Sequence, residues 1–252
     1  MITLSRRKLI LSGLAATAGA SGLAVAARLA QKFGLVPPDH GGIYGFGETL
    51  TYASQRLLTR HSLAREFPRN QISPRPFPNV LDPLTEDFKR LQAGGFADWR
   101  LSIDGMVHQP ASFSIADLKN YPSRSHITEL ACEEGWSYIA EWIGVPLSQV
   151  LHLVGVHPQA RYVVYVSMEP DTWDSIDMAD ALHPQTFLCY GINGSELPVA
   201  HGGPLRMRPP GQIGYKNIKF ITRLTLTDSL KGFGKGCGSA GCEAGYAWYT
   251  GI

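Results

Sequence analysis

Thr128-Glu129-Leu130-Ala131-Cys132-Glu133-Glu134-Gly135-Trp136-Ser137 decides how the rest of the chain is read. The residues leading into it, His126 to Ala131, carry strand-forming side chains and stop at a Glu-Gly turn, so they are expected to form a β-strand that ends at Cys132. A side chain at a strand end, beside a Gly-Trp loop, can point into a cleft. The commoner fate of a free cysteine is burial as a small hydrophobe. Spacing alone leaves both readings open.

Outward from this stretch, short strands and short helices alternate without a regular βα rhythm. Trp99 to Gly105 alternates with a period of two and ends in a turn signal. Ser114-Ile-Ala-Asp-Leu118 begins like a capping box with Asp in the Glu position, and Pro122 ends the helix it opens. Pro146 to Val154 reads as a helix with proline in its first turn. Thr85 to Ala93 and Asp177 to Leu182 read as further helices. Arg161 to Met168, Phe187 to Gly191, Leu205 to Arg208 and Asn217 to Thr227 read as strands. No internal repeat, heptad run or phosphate-binding glycine fingerprint occurs. The pattern predicts a mixed α+β, β-rich single domain rather than a doubly wound sheet.

The region before residue 84 is different. Between 33 and 83 prolines and glycines interrupt every would-be helix, so 28–83 is expected to be an arm, with 58–83 contributing to a core at 84–227. At the N-terminus, Ser5-Arg6-Arg7-Lys8 precedes nineteen uncharged, mostly small residues, Leu9 to Ala27. This reads as an export signal at 1–27 of the twin-arginine type, the type that carries folded proteins, and it implies a periplasmic location. An uncleaved anchor helix is the alternative. The whole chain of 252 residues carries a net charge of +2, and without 1–27 the balance is −1. So weak a charge excludes nucleic-acid binding by phosphate neutralisation, and 44% hydrophobic residues exclude a disordered chain.

Two later turns carry cations. His201-Gly-Gly-Pro-Leu-Arg206 and Gly214-Tyr-Lys-Asn-Ile-Lys219 each combine backbone freedom with positive charge, a pattern suited to a phosphate-bearing ligand. Cys189 lies in an apolar strand and is expected to be core. Cys237 and Cys242 lack the spacing of haem attachment or a zinc set, and are expected to form a short disulfide pinning the tail at 228–252.

Together these segments resemble the sulfite-oxidase-type molybdopterin oxidoreductases, and within them the twin-arginine-exported methionine-sulfoxide reductase catalytic subunits. The resemblance rests on Cys132-x-Glu134-x-Trp136-Ser137, on Trp142-x-Gly144-x-Pro146-Leu147, on the two cationic turns, and on the closing Tyr246-Ala-Trp248-Tyr249-Thr-Gly251-Ile252. It implies a molybdenum–molybdopterin cofactor with Cys132 as the thiolate ligand to the metal. It implies that His201, Arg206, Asn217 and Lys219 hold the pterin or its phosphate, with Ile218 acting through its backbone. Ser167, thirty-five residues after Cys132, falls where the reductases have a pterin-contacting Thr. Arg60 and His61 resemble an Arg-Asn-His turn of the sulfite oxidases, where the reductases instead carry an Asn- and aromatic-bearing turn.

The implied activity is oxygen-atom transfer to or from a small substrate, such as sulfoxide reduction. The chain has no room for the haem or dimerisation domains of animal sulfite oxidases. It is therefore expected to be a monomer that exchanges electrons with a separate membrane haem protein or cytochrome. Rival readings are sulfite oxidation, a non-catalytic periplasmic binding protein on the same fold, and a cysteine hydrolase pairing Cys132 with His126 or His201.

Overall fold

The computed structural model of the chain describes residues 28, 30–32, 34–41, 45–79, 83 and 85–252. The export signal expected at 1–27 lies outside them. The chain divides into two units, Met1–Leu58 and Thr59–Ile252. The first contains helix α1 (Gly45–Leu58). This corrects the expectation of an uninterrupted arm: after Gly47 the sequence runs twenty residues, Glu48 to Phe67, without proline or glycine, long enough for the helix. Among the described residues, no helix is long and apolar enough to cross a membrane.

The first α-helix of the second unit is α2 (Glu86–Ala93), capped by the Thr85 hydroxyl, which accepts the Phe88 N–H. Strands β1 (Leu101–Gly105) and β2 (Ala111–Phe113) follow, then α3 (Ile115–Lys119). Ser114 and Asp117 close the expected capping box on α3, with Asp serving in place of Glu. Next come β3 (Arg124–Ala131), β4 (Ser137–Pro146) and α4 (Leu147–Val154). The chain continues through β5 (Tyr162–Ser167), β6 (Trp173–Asp177), α5 (Met178–Ala181), β7 (Phe187–Ile192) and the short β8 (Ser195–Glu196). It ends with β9 (Arg206–Arg208), β10 (Ile221–Thr227) and the single-turn α6 (Ala240–Glu243).

These strands make two sheets. One runs β2-β1-β10-β5-β6, with β1 and β10 parallel and the other pairs antiparallel. The other runs β3-β4-β7-β8, with β9 added to β7. The main core gathers Leu101, Ile103, Val163, Tyr165, Leu224 and Leu226 from the first sheet and Val145, Leu188 and Tyr190 from the second. Helix α4 contributes Leu147, Val150, Leu151 and Val154, the i, i+3, i+4, i+7 stripe of an amphipathic helix.

All six residues of β7 are buried, because its two faces are both covered. Leu188 and Tyr190 face the main core, whereas Phe187 and Cys189 alternate to a second cluster with Tyr138, Ala140 and Trp142. The same alternation runs through β9: Met207 joins the main core, and Arg206 and Arg208 point the other way, each guanidinium carbon 5.1 Å from the Trp142 ring. The segment after Thr59 is tied to the backbone of β3 and β4. Phe67 N–H donates to Ile127 O at 2.9 Å, and Ser73 N–H donates to Ile139 O at 2.9 Å.

Candidate active site

Cys132 sits on the tight connection between β3 and β4, a hairpin closed by Cys132 N–H to Trp136 O at 2.9 Å. Its side chain is half-buried and lines a cleft with Phe77, Pro78, Asn79, Trp136, Tyr138, Tyr215, Arg206, Asn217 and Lys219. Of the two open readings, the cleft is therefore the one the fold adopts. Burial, aided by the carboxylates of Glu133 and Glu134, pushes the Cys132 thiol up to about 12. Sγ lies 3.2 Å from Glu133 Oε2 and 3.9 Å from Glu134 Oε2, and Trp136 Nε1 donates to that same Glu134 oxygen at 2.8 Å. Among the described residues no histidine hydrogen-bonds Sγ, and His126 is committed to Glu66 at 2.9 Å. The hydrolase reading thus lacks its base.

The two cationic turns converge on this hairpin. A Cβ at Gly214 would stand 3.0 Å from Cys132 Cα, tighter than ordinary contact, so glycine eases the close approach of the second turn to the cysteine. At Gly202, with φ +101°, a Cβ would stand 2.7 Å from Lys219 Cγ, which joins the first turn to the second. Arg206 donates to His201 O at 2.8 Å and to Asn217 O at 2.7 Å. Arg208, fully buried, donates to Asn217 Oδ1 at 2.8 Å, Glu129 O at 2.6 Å and Thr128 Oγ1 at 3.1 Å. Lys219 Nζ donates to Pro78 O and to Ala200 O.

Buried charge is costly unless it is paired. Arg206 and Arg208 are buried, and among the described residues neither meets a carboxylate. Burial, and then the charge of Arg206, pushes Arg208 down to about 9. Burial, then Arg206 and Lys219, pushes His201 down to about 4, so its imidazole is neutral at pH 7. His201 Nδ1 and the Nε atoms of both arginines are buried without a hydrogen-bond partner. The site is thus a thiol flanked by the carboxylates of Glu133 and Glu134, with two arginines deeper in the cleft that no carboxylate pairs, orphaned polar atoms and a glycine-lined approach. That donor set fits an anionic cofactor bearing a soft metal: phosphate oxygens for the cations, and the thiolate for the metal.

Residues 90–232 match the model of the oxidoreductase molybdopterin binding domain. The chain belongs to this family. Within it, the chain is 35% identical over 195 residues to YedZ1 of Azospira oryzae, named as a protein-methionine-sulfoxide reductase subunit, covering 77% of this chain and 70% of that protein. It is 31% identical over 145 residues to the protein-methionine-sulfoxide reductase catalytic subunit MsrP of Ralstonia nicotianae, covering 52% of this chain and 44% of that one. Among solved structures it resembles the sulfane dehydrogenase SoxCD of Paracoccus pantotrophus, with a TM-score of 0.50 and 26% identity over 52% of this chain and 39% of that one. The protein is accordingly a molybdopterin-dependent oxidoreductase with the α+β sulfite-oxidase fold.

Within this family site, Cys132, Arg206, Asn217 and Lys219 come together as expected, with His201 beside them, its ring edge-on to Tyr138 at 6.1 Å. Asn217 has its side chain engaged internally, accepting from Arg208 and donating to Ile213 O at 3.0 Å. Ile218 packs on the main core while its carbonyl accepts the Met207 N–H at 2.9 Å. Three expected residues are not brought to the cleft. Arg60 and His61 are exposed on a turn tied to the far end of the second sheet, where Ser62 O meets His183 Nε2 at 3.2 Å and Ala64 N–H donates to Gln185 Oε1 at 2.7 Å. Ser167 ends β5 beside a different cavity, with Met168, Glu169, Trp173 and Phe233, and its hydroxyl accepts the Glu169 N–H at 2.9 Å.

The cleft wall is supplied instead by Phe77-Pro78-Asn79. This stretch lies fifteen residues beyond Ser62 along the arm. Phe77 meets the Trp136 ring edge-on at 5.1 Å, and Trp136 stacks parallel to Tyr138 at 5.9 Å. Arg208 was also missed, although Arg206-Met207-Arg208 carries the signal: period-two spacing puts both arginines on one face.

Proposed function

We propose that this protein is an exported reductase that removes the oxygen atom from a sulfoxide, with methionine sulfoxide as the substrate class named by its relatives. The net reaction takes a sulfoxide, two electrons and two protons to a sulfide and water. The electrons arrive singly from a separate redox protein, a membrane haem protein or cytochrome. Bound molybdenum–molybdopterin would supply a centre that exchanges an oxygen atom and two electrons.

The chain's own part follows from the geometry. Arg206 and Lys219 would grip the anionic portion of the cofactor, and neutral His201 would offer Nδ1 to it. Cys132 would bind the metal as thiolate. Its high intrinsic pKa means that the metal-free site holds it as the thiol, so loading releases a proton. Phe77, Trp136 and Tyr138 wall the approach and suit a sulfur-bearing alkyl group, since sulfur packs well against aromatic rings.

The observation that favours reduction of a neutral sulfoxide over oxidation of anionic sulfite is the charge beside Cys132. Glu133 and Glu134 are exposed there, whereas Arg206 and Asn217, deeper in the cleft, are turned inward. An acidic rim repels an anion and leaves a neutral dipolar group unaffected. Assaying the loaded protein in both directions with artificial electron carriers tests this. Sulfoxide reduction should be much the faster; sulfite oxidation at a comparable or greater rate overturns it. Absence of molybdenum from protein made in a host competent for the cofactor would favour the binding-protein reading.

A further inference from the structure

The Cys237–Cys242 disulfide closes a loop in the tail, and two residues inside that loop reach toward the turn that carries Gly214. Gly238 O accepts the Ser175 hydroxyl at 2.5 Å. A Cβ at Gly241 would stand 3.4 Å from Tyr215 Cδ2, so the loop backbone lies in van der Waals contact with that ring. Ser175 is fully buried and makes two further links: its hydroxyl accepts Trp248 Nε1–H at 2.8 Å, and its carbonyl accepts Lys216 Nζ at 3.0 Å. Lys216 is also paired with buried Asp174 at 2.6 Å, and its carbonyl accepts the Tyr165 hydroxyl at 2.9 Å. Beyond the loop, Tyr246 packs on Tyr215 at 5.4 Å, and Ile213 N–H donates to Thr250 O at 3.2 Å. A continuous set of contacts thus runs from the disulfide loop through Ser175 and Lys216 to Gly214, which rests on the backbone of Cys132.

We propose that the loop closed by Cys237–Cys242 is a latch that positions the Gly214–Lys216 turn, and through it Cys132, and that a dithiol reductant opens it. The chemistry is thiol–disulfide exchange. One thiolate of the dithiol attacks Cys237 or Cys242, the S–S bond breaks, and the second thiolate displaces the mixed disulfide. The protein gains two thiols and the reductant leaves as its own disulfide. Both cysteines are half-buried rather than sealed in the core, which leaves them open to a small reductant. In an oxidising compartment the latch stays closed. Ser175, Lys216 and Trp248 are positioning residues in this account, since none lines the cleft.

The latch rests on the family assignment of the cofactor seat and not on the direction of catalysis, so its test reads the chain itself. Amide hydrogen exchange is followed on the full metal-free chain, and molybdenum retention on the loaded protein, each with the disulfide intact, after dithiothreitol, and in the double variant Cys237→Ser, Cys242→Ser. Opening should raise exchange at residues 213–217 by about tenfold or more, the scale of one lost hydrogen bond, while β3 and β4 stay protected. Molybdenum loss should accelerate by a similar factor. Ser175→Ala should reproduce both effects with the disulfide intact, and reduction should then add little. Unchanged exchange at 213–217, a uniform rise across the domain, or fully additive effects of Ser175→Ala and reduction would each overturn the latch. None of these outcomes bears on whether the loaded protein reduces sulfoxides.

Discussion

Two sets of buried cations lie within a dozen residues of one another and are treated in opposite ways. Lys216 is 1% exposed and meets Asp174, equally buried, at 2.6 Å. Burial pushes the Asp174 carboxyl up, to about 6, and Lys216 opposes that push. Arg206 and Arg208 are as deeply buried, yet they are held by carbonyls, an amide and a hydroxyl, with no carboxylate among the described residues. The compensated cation is part of the scaffold. The uncompensated pair is, in the proposed function, the seat of an anionic cofactor. In a sequence all of them are simply basic residues in glycine-rich turns, and their partners on distant strands tell them apart.

This contrast can be broken by mutation, starting where the largest change is expected. Cys132→Ser should leave a folded protein whose sulfoxide-reducing turnover falls to background, since a hydroxyl does not replace a thiolate on a soft metal; full turnover would remove Cys132 from the metal. Lys216→Met leaves Asp174 buried without its partner and should cost about 3–5 kcal/mol in urea unfolding of metal-free protein. Arg206→Met should do the reverse. It leaves two carbonyls short of donors but relieves a buried like-charge contact, so metal-free stability should change by no more than about 2 kcal/mol, while cofactor binding is lost. Equal destabilisation by the two variants would erase the distinction.

A smaller effect concerns pH. The pKa of His201 is lowered in the folded state from 6.5 to about 4. Between those values the unfolded chain takes up the proton and the folded chain does not, so the stabilising contribution is complete above 6.5 and is lost as pH falls toward 4. In metal-free protein His201→Gln should flatten the dependence of the urea midpoint over that window; an unchanged slope would place the proton uptake elsewhere. Smallest of all, Phe77→Ala should raise KM for a sulfoxide a few-fold with kcat little altered, as expected for an aromatic–sulfur contact of about 1 kcal/mol.

Much of the fold was legible wherever a local rule is strong. The capping box at Ser114 and Asp117, the i, i+3, i+4, i+7 stripe of α4, and the β-branched run of β5 all appear within a residue or two of their expected bounds. Strand β4 was legible only as a motif, because Tyr138 to Pro146 carries apolar residues on both faces, with Glu141 alone charged among them, and lacks the alternation that marks a strand; both faces are covered in the fold, and Glu141 is buried against Arg69. The tail disulfide formed as expected, and Cys189 is core. At the site, Cys132 and the two turns were legible because glycine and cation patterns are local. Ser167 lies off the cleft because it ends β5 in the other sheet, whereas the wall at 77–79 and the placement of Arg60 and His61 share one cause: which part of an arm reaches a cleft depends on where it is tied down. Gln185, more than a hundred residues away, anchors Ala64 and so sets that register.

The central claim is that the uncompensated arginines are the cofactor's seat. The most direct measurement is the molybdenum-to-chain ratio of Arg206→Met beside the unmodified protein, both made in a host that supplies the cofactor. Equimolar molybdenum in the unmodified protein and its loss in the variant is the result expected. Metal-free unmodified protein, or a variant that keeps its full complement, would contradict it.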